Sequence, residues 1–202
     1  MQLGIMGTGN VAQTLARRWS AAGHQITFGS RDPASKSALD APVTSLAAAV
    51  ADNDVVVNAT PGSATLELVA GIGAAAFAGK VLVDVANAST PSFELVYPNS
   101  SLAEKLQAAL PAAKVVKTMN TAAMSVMTEP ATLPPSSVFV SGDDAGAKAA
   151  VTSLLRDFGW PDGCIVDLGG IGSARGPEHY FLMFVALMQS LRTPGFNIRL
   201  VT

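Results

Sequence analysis

The sequence predicts an α/β protein built on a doubly wound, mostly parallel sheet with a small C-terminal helical extension. Three observations carry that expectation. A glycine motif sits between a strand-like and a helix-like segment at the start of the chain. Short apolar runs with β character return at intervals along it, and alanine-rich helical stretches lie between them. The 202 residues are 49% hydrophobic and 14% charged, which excludes a disordered chain. Aromatic residues are only 6%, so the apolar mass is largely alanine and valine, which suits buried parallel strands under small-residue helices.

Composition also excludes several functions. Thirteen Lys and Arg against fifteen Asp and Glu leave a net charge of −2, with no basic run to attract a nucleic acid. The single cysteine, Cys164, excludes an internal disulfide, and two histidines, His24 and His179, are too few for a histidine-based zinc centre. The chain does not open on a signal peptide, and its longest apolar run, Tyr180 to Met188, is far short of a membrane helix. A soluble cytoplasmic protein, with no membrane and no nucleic-acid partner, is the expectation. Residues 1–202 are expected to form one dinucleotide-binding domain, whose part from about 121 onward completes a cleft for a second ligand.

The elements follow in order. Gln2 to Met6 is a strand candidate that runs into Gly7-Thr8-Gly9-Asn10-Val11-Ala12. A helical pattern succeeds it, with Val11, Leu15 and Trp19 four apart and Ala12 and Ala16 beside them, and Gly23 ends it. Gln25 to Gly29 is the second strand. A G-x-G-x-x-A inside such a β-α-β unit is the Rossmann dinucleotide fingerprint. Gly7 permits the tight turn, Gly9 lets the backbone approach a pyrophosphate, and Ala12 allows close helix packing. Asn10 and Val11 open the helix whose free N–H groups receive the phosphates. The alternative is a glycine turn that holds no ligand.

An NAD site carries an acid at the end of the second strand. Here that end reads Gly29-Ser30-Arg31-Asp32-Pro33. Ser30 can hydrogen-bond a phosphate, Arg31 offers a planar fork to it, and Lys36 adds charge. With Thr8 these form a 2′-phosphate set, so NADP(H) is favoured. The rival assignment makes Asp32 an NAD-type acid just past the expected position.

Further strands are expected at Val55–Ala59, Val81–Val85, Val115–Thr118, Val138–Ser141 and Ile165–Leu168, and helices at 46–51, 64–77, 101–110 and 145–158. Ser101 with Glu104 reads as a capping box. Ligands in such sheets lie beyond the carboxyl ends of the strands. Thr60 with Pro61, Asn87 and Asn120 fall at three of those ends, where they can meet ribose, nicotinamide or substrate; turn chemistry explains each of them equally. His24 reads as a surface residue, Cys164 as a small buried hydrophobe, and His179 as a satisfied histidine at a helix edge, with a general acid or base as its alternative reading. No catalytic side chain is assigned. Hydride transfer between two bound cofactors needs alignment and dryness from the protein rather than an acid or base. The apolar segment Glu178 to Leu191 is expected to be a core helix, with a dimer seam or a place under a flat aromatic ligand as the other options.

Gly-Thr-Gly-Asn-Val at 7–11, Gly-Ser-Arg at 29–31, Asp-Val-Ala-Asn at 84–87, Val-Lys-Thr-Met-Asn-Thr at 116–121 and Ser-x-Arg-x-x-Glu at 173–178 together resemble the NADPH-dependent reductases of coenzyme F420, the 8-hydroxy-5-deazaflavin. The resemblance runs nearly the whole chain. It implies an NADP-dependent oxidoreductase that passes hydride directly between NADP(H) and the deazaflavin, with Thr8, Ser30 and Arg31 on the 2′-phosphate. It further implies a homodimer. The chain departs from the family pattern at Asp32-Pro33, where a more basic run is usual, and at Met119. Two other readings stand beside it: an NADPH-dependent reductase of another acceptor, such as a flavin, a quinone or an imine, and a sensor that binds NADP(H) without turnover. Imine reductases append a large helical domain, whereas only 26 residues follow Gly176 here.

Overall fold

The computed structural model describes residues 1–36 and 39–201. Ser37, Ala38 and Thr202, which the single-domain expectation spans, lie outside the described residues. The elements are β1 (Gln2–Met6), α1 (Asn10–Ala21), β2 (Gln25–Ser30), β3 (Val43–Ser45), α2 (Leu46–Ala51), β4 (Val55–Asn58), α3 (Gly62–Ile72) and β5 (Val81–Asp84). They continue as α4 (Leu102–Ala109), β6 (Lys114–Thr118), α5 (Met124–Thr128), β7 (Val138–Gly142), α6 (Ala145–Arg156), β8 (Ile165–Asp167) and α7 (Arg175–Leu191).

One sheet joins the eight strands in the order β3-β2-β1-β4-β5-β6-β7-β8. The chain winds outward one way from β1 through β2 and β3, then restarts at β4 and winds the other way. The switch point therefore lies between β1 and β4, where Ile5 stands opposite Phe28 on one side and Val57 on the other. All pairings are parallel except β6 with β7. A parallel return needs a long crossover, usually a helix. The connection from β6 to β7 holds the five-residue α5 and a short 3-10 turn at Pro130–Thr132, and Pro130, Pro134 and Pro135 stop α5 from extending into a crossover helix.

Both faces of the sheet are covered. On one, Ala12, Leu15 and Trp19 of α1 pack with Val151, Leu154 and Leu155 of α6 and with Val126 and Met127. Trp19 stacks on Phe158 at 4.8 Å between centroids and donates its indole N–H to the Leu154 carbonyl at 3.1 Å. On the other face, Val50, Val69, Phe77, Leu102 and Leu106 close over Val56, Leu82 and Val115. The Ser101 cap forms as expected, its hydroxyl accepting from the Glu104 N–H at 3.1 Å.

Several expectations are corrected. The helix expected over 64–77 ends at Ile72, because Gly73 adopts φ +93° and a short 3-10 turn follows. β3 and α5 were not expected. His24 is enclosed rather than on the surface, its side chain only 9% exposed. The Met1 ammonium donates to its Nδ1 at 2.9 Å, and its Nε2 donates to Asp157 at 2.9 Å. Cys164 is half-buried against the core. α7 is not a core helix: Pro177, Glu178 and Val185 are its buried residues, whereas Leu182, Met183 and Leu191 are 49%, 52% and 54% exposed. No helix among the described residues is long and apolar enough to cross a membrane.

Candidate active site

The turn after β1 is set by Gly7. Its φ is +107°, its N–H donates to the Gly29 carbonyl at 2.9 Å, and a Cβ there would stand 2.8 Å from the Ala59 carbonyl oxygen. Only glycine satisfies that turn. Gly9 is different. Its backbone is extended, at φ −78° and ψ −177°, a conformation any residue adopts, and an added Cβ would meet nothing within 4 Å. Neither fold nor packing requires glycine there. What glycine preserves is open space directly over the first turn of α1. That turn has no side-chain cap and no acidic residue, so its N–H groups and positive dipole end face the opening. These are the properties of a cradle for a pyrophosphate.

A cleft of about 840 Å³ lies over this turn. Residues 7–11 form its floor, with Ser30, Arg31 and Lys36 on one wall and Thr60 and Pro61 on the opposite one. Ser30 ends β2 and is 8% exposed, and its hydroxyl oxygen accepts the Asp32 N–H at 3.1 Å, which leaves the hydroxyl hydrogen to donate. Arg31 and Lys36 are exposed and form no ion pair among the described residues. Asp32 borders the same cleft, so the rival acid stands beside the two cations. Thr60 does not offer its hydroxyl: it donates to Asn58 Oδ1 at 2.6 Å and lies 2.9 Å from Thr65 Oγ1. The Thr60 N–H also donates to Asn58 Oδ1, at 3.3 Å.

Asn87 and Asn120 do converge, but on each other rather than on the wall of this cleft. Asn87 Nδ2 donates to the Asn120 carbonyl at 2.8 Å, and Asn120 Nδ2 donates to Asn87 Oδ1 at 2.9 Å and to the Pro177 carbonyl at 3.0 Å. They brace the ends of β5 and β6 against the start of α7. Gly62 brings this brace beside the cleft: its position packs on the Asn87 carbonyl, where a Cβ would come within 2.4 Å.

Beneath the brace is a buried ionic cluster that sequence reasoning did not assemble. Lys117 Nζ lies 2.9 Å from Asp84 Oδ2 and 3.0 Å from Glu178 Oε1, and it also donates to the Ala86 carbonyl. The Lys117 and Asp84 side chains are wholly buried and that of Glu178 is 5% exposed. Asp84 Oδ1 accepts from Asn58 Nδ2 at 2.8 Å, and Glu178 accepts the Leu102 and Ala103 N–H groups at 2.8 and 3.0 Å, capping α4. The available signal was a charged residue inside each of two apolar strands, VLVD and KVVKT, since buried charges must pair. Burial, with the Glu178 carboxylate behind it, pushes the nearby Tyr97 phenol above its ordinary value.

α7 grips the start of α4 at two further points. His179 Nε2 donates to the Ser100 carbonyl at 3.0 Å, so this histidine has a structural partner. Arg175 forks onto Glu104, with three contacts of 2.8–3.0 Å. The Arg175 hydrogen bonds, helped by Ser101 and Ser100, hold the Glu104 carboxyl at about 2 against an ordinary 4.5. A carboxyl depressed on folding adds stability above about 4.5 that disappears as pH falls through about 2. Glu104→Gln should therefore lower the urea midpoint at neutral pH, and the gap to wild type should close between those values. A gap that stays constant down to pH 2 would contradict the pairing.

Comparison with known proteins gives four findings. Residues 2–88 match the model of a protein family described as NADP oxidoreductase, coenzyme F420-dependent. The crystal structure of a candidate F420-dependent NADP reductase from Arthrobacter sp. FB24 is 37% identical over the whole of both chains, with a TM-score of 0.94. Metalloreductase STEAP3 from Rattus norvegicus is 31% identical over 180 residues, 88% of this chain, which spans 36% of that relative's length. An imine reductase from Myxococcus stipitatus, solved in complex with NADP+, shares the fold at a TM-score of 0.68 and 18% identity, over 95% of this chain and 64% of that one.

Proposed function

The chain belongs to the F420-dependent NADP oxidoreductase family, and from that premise we propose that it transfers hydride between NADP(H) and a deazaflavin of the coenzyme F420 class. The observation that carries the first half is the open space over the uncapped α1 terminus, flanked by the cations Arg31 and Lys36. Residues 7–11 would hold the pyrophosphate, and Thr8, Ser30, Arg31 and Lys36 the 2′-phosphate. Thr60 and Pro61 would border the ribose and nicotinamide from the opposite wall. When bound, the nicotinamide supplies the hydride, which is the whole of the redox chemistry. The protein aligns the two rings and excludes water, and no side chain is assigned a proton-transfer step. The Arthrobacter relative's full-length similarity supports the deazaflavin as the second partner.

One continuous eight-stranded sheet supports reading the chain as a single dinucleotide-binding unit, with the part from about 121 onward shaping the acceptor side. The half-exposed apolar face of α7 supports a homodimer with that helix in the seam.

NADPH consumption by the purified protein, with and without oxidised F420, tests the reading. Oxidation that requires F420 is expected; binding without oxidation would leave only a dinucleotide-binding protein. Arg31→Ala tests the choice of dinucleotide. It should raise KM for NADPH about tenfold, the scale of one charge-assisted hydrogen bond, with little change for NADH. Equal effects on both nucleotides would refute the 2′-phosphate role.

A further inference from the structure

Four segments meet at Lys117: the ends of β5 and β6 and the starts of α4 and α7. Directly above it the chain is strained. Met119 is buried at φ +61°, and the Asn120 N–H closes a γ-turn onto the Thr118 carbonyl at 2.8 Å. γ-turns with a positive central φ are rare, and such a backbone persists only where its surroundings over-determine it. Here the surroundings are the Asn87–Asn120 brace, the Pro177 carbonyl and the ionic cluster below.

A buried ionic cluster is a costly way to gain stability, since apolar side chains of similar volume often hold a fold equally well. What charges add is orientation, because hydrogen-bonded carboxylates and an ammonium tolerate one arrangement where apolar groups tolerate many. Of the cluster, only Asp84 leads toward the dinucleotide cleft, through Asn58, which in turn bonds Thr60; the hydrogen bonds of Lys117 and Glu178 reach no residue that lines it. The cluster orients instead the edge of the sheet at β5 and β6 and the first turn of α7.

We propose that Lys117 and Glu178 are positioning residues for the hydride acceptor: through the Ala86 carbonyl, the Asn87–Asn120 pair and the start of α7 they fix the surface that receives the second ring, and they leave the NADPH cleft to itself. The inference rests on the hydride-transfer reading above.

Glu178→Gln tests it. The substitution keeps side-chain size and leaves Lys117 and Asp84 as a neutral pair. The probes are NADPH alone, followed by its fluorescence on binding, and oxidised F420 under steady-state turnover, with rates expressed per NADPH-binding site. The expected result is an NADPH dissociation constant within twofold of wild type, an F420 KM that rises, and a kcat at least tenfold lower. Loss of NADPH affinity in step with turnover would show a merely structural role and overturn the proposal. Unchanged F420 kinetics would overturn it while leaving the hydride-transfer reading intact. Wild-type protein that fails to oxidise NADPH with F420 would overturn that reading, and this proposal with it. Should Glu178→Gln not fold, Asn87→Ala cuts the same brace at its half-buried end and is judged by the same readouts.

Discussion

Gly9→Val should leave the fold intact and abolish useful NADPH binding. Valine accepts the extended backbone of this position, and its Cβ would meet no neighbour within 4 Å, so the thermal midpoint should stay within about 2 °C of wild type. The added methyl groups would stand in the space where a pyrophosphate must approach the α1 terminus. The dissociation constant for NADPH should rise about 100-fold or more, equivalent to at least ~2.7 kcal/mol. Gly7 makes the contrast. Its φ of +107° and its approach to Ala59 mean that Gly7→Val damages the fold itself. Equal NADPH affinity in Gly9→Val and wild type would remove the dinucleotide from this cleft.

The largest loss of stability is expected from Lys117→Met. Methionine fills the space of the lysine stem but leaves Asp84 and Glu178 as buried carboxylates without a cation. Breaking a buried pair in this way costs about 3–5 kcal/mol. In a chain of this length that corresponds to a midpoint roughly 6–20 °C lower in thermal unfolding. A loss below about 1 kcal/mol would show that the ammonium does not hold the cluster together.

What was legible in the sequence follows how local each signal is. The turn at Gly7 to Val11, the helix of Leu15 and Trp19 and the cap of Ser101 on Glu104 depend on neighbours within a few residues, and the structure shows them as read. β3 and α5, at three and five residues, are too short to display a period. The reversal of β7 is decided by the connection before it, where a short helix and prolines replace a crossover, and periodicity carries no strand direction. The apolar content of α7 revealed that its surface must be covered, but not by what, and the monomer covers only part of it. The same division runs through the candidate site. Ser30 and Arg31 are found by counting from the glycines. Asp84, Lys117 and Glu178 come together only through the topology, and the asparagines expected to face a ligand spend their amides on each other.

The most direct test is to follow the hydrogen itself. NADPH carrying deuterium at the transferring C4 position should be oxidised by the protein only when oxidised F420 is present, and the label should be recovered on carbon of the reduced deazaflavin. Direct ring-to-ring transfer requires that result. Label released to water, or NADPH consumed equally with a free flavin or with no acceptor, would contradict it.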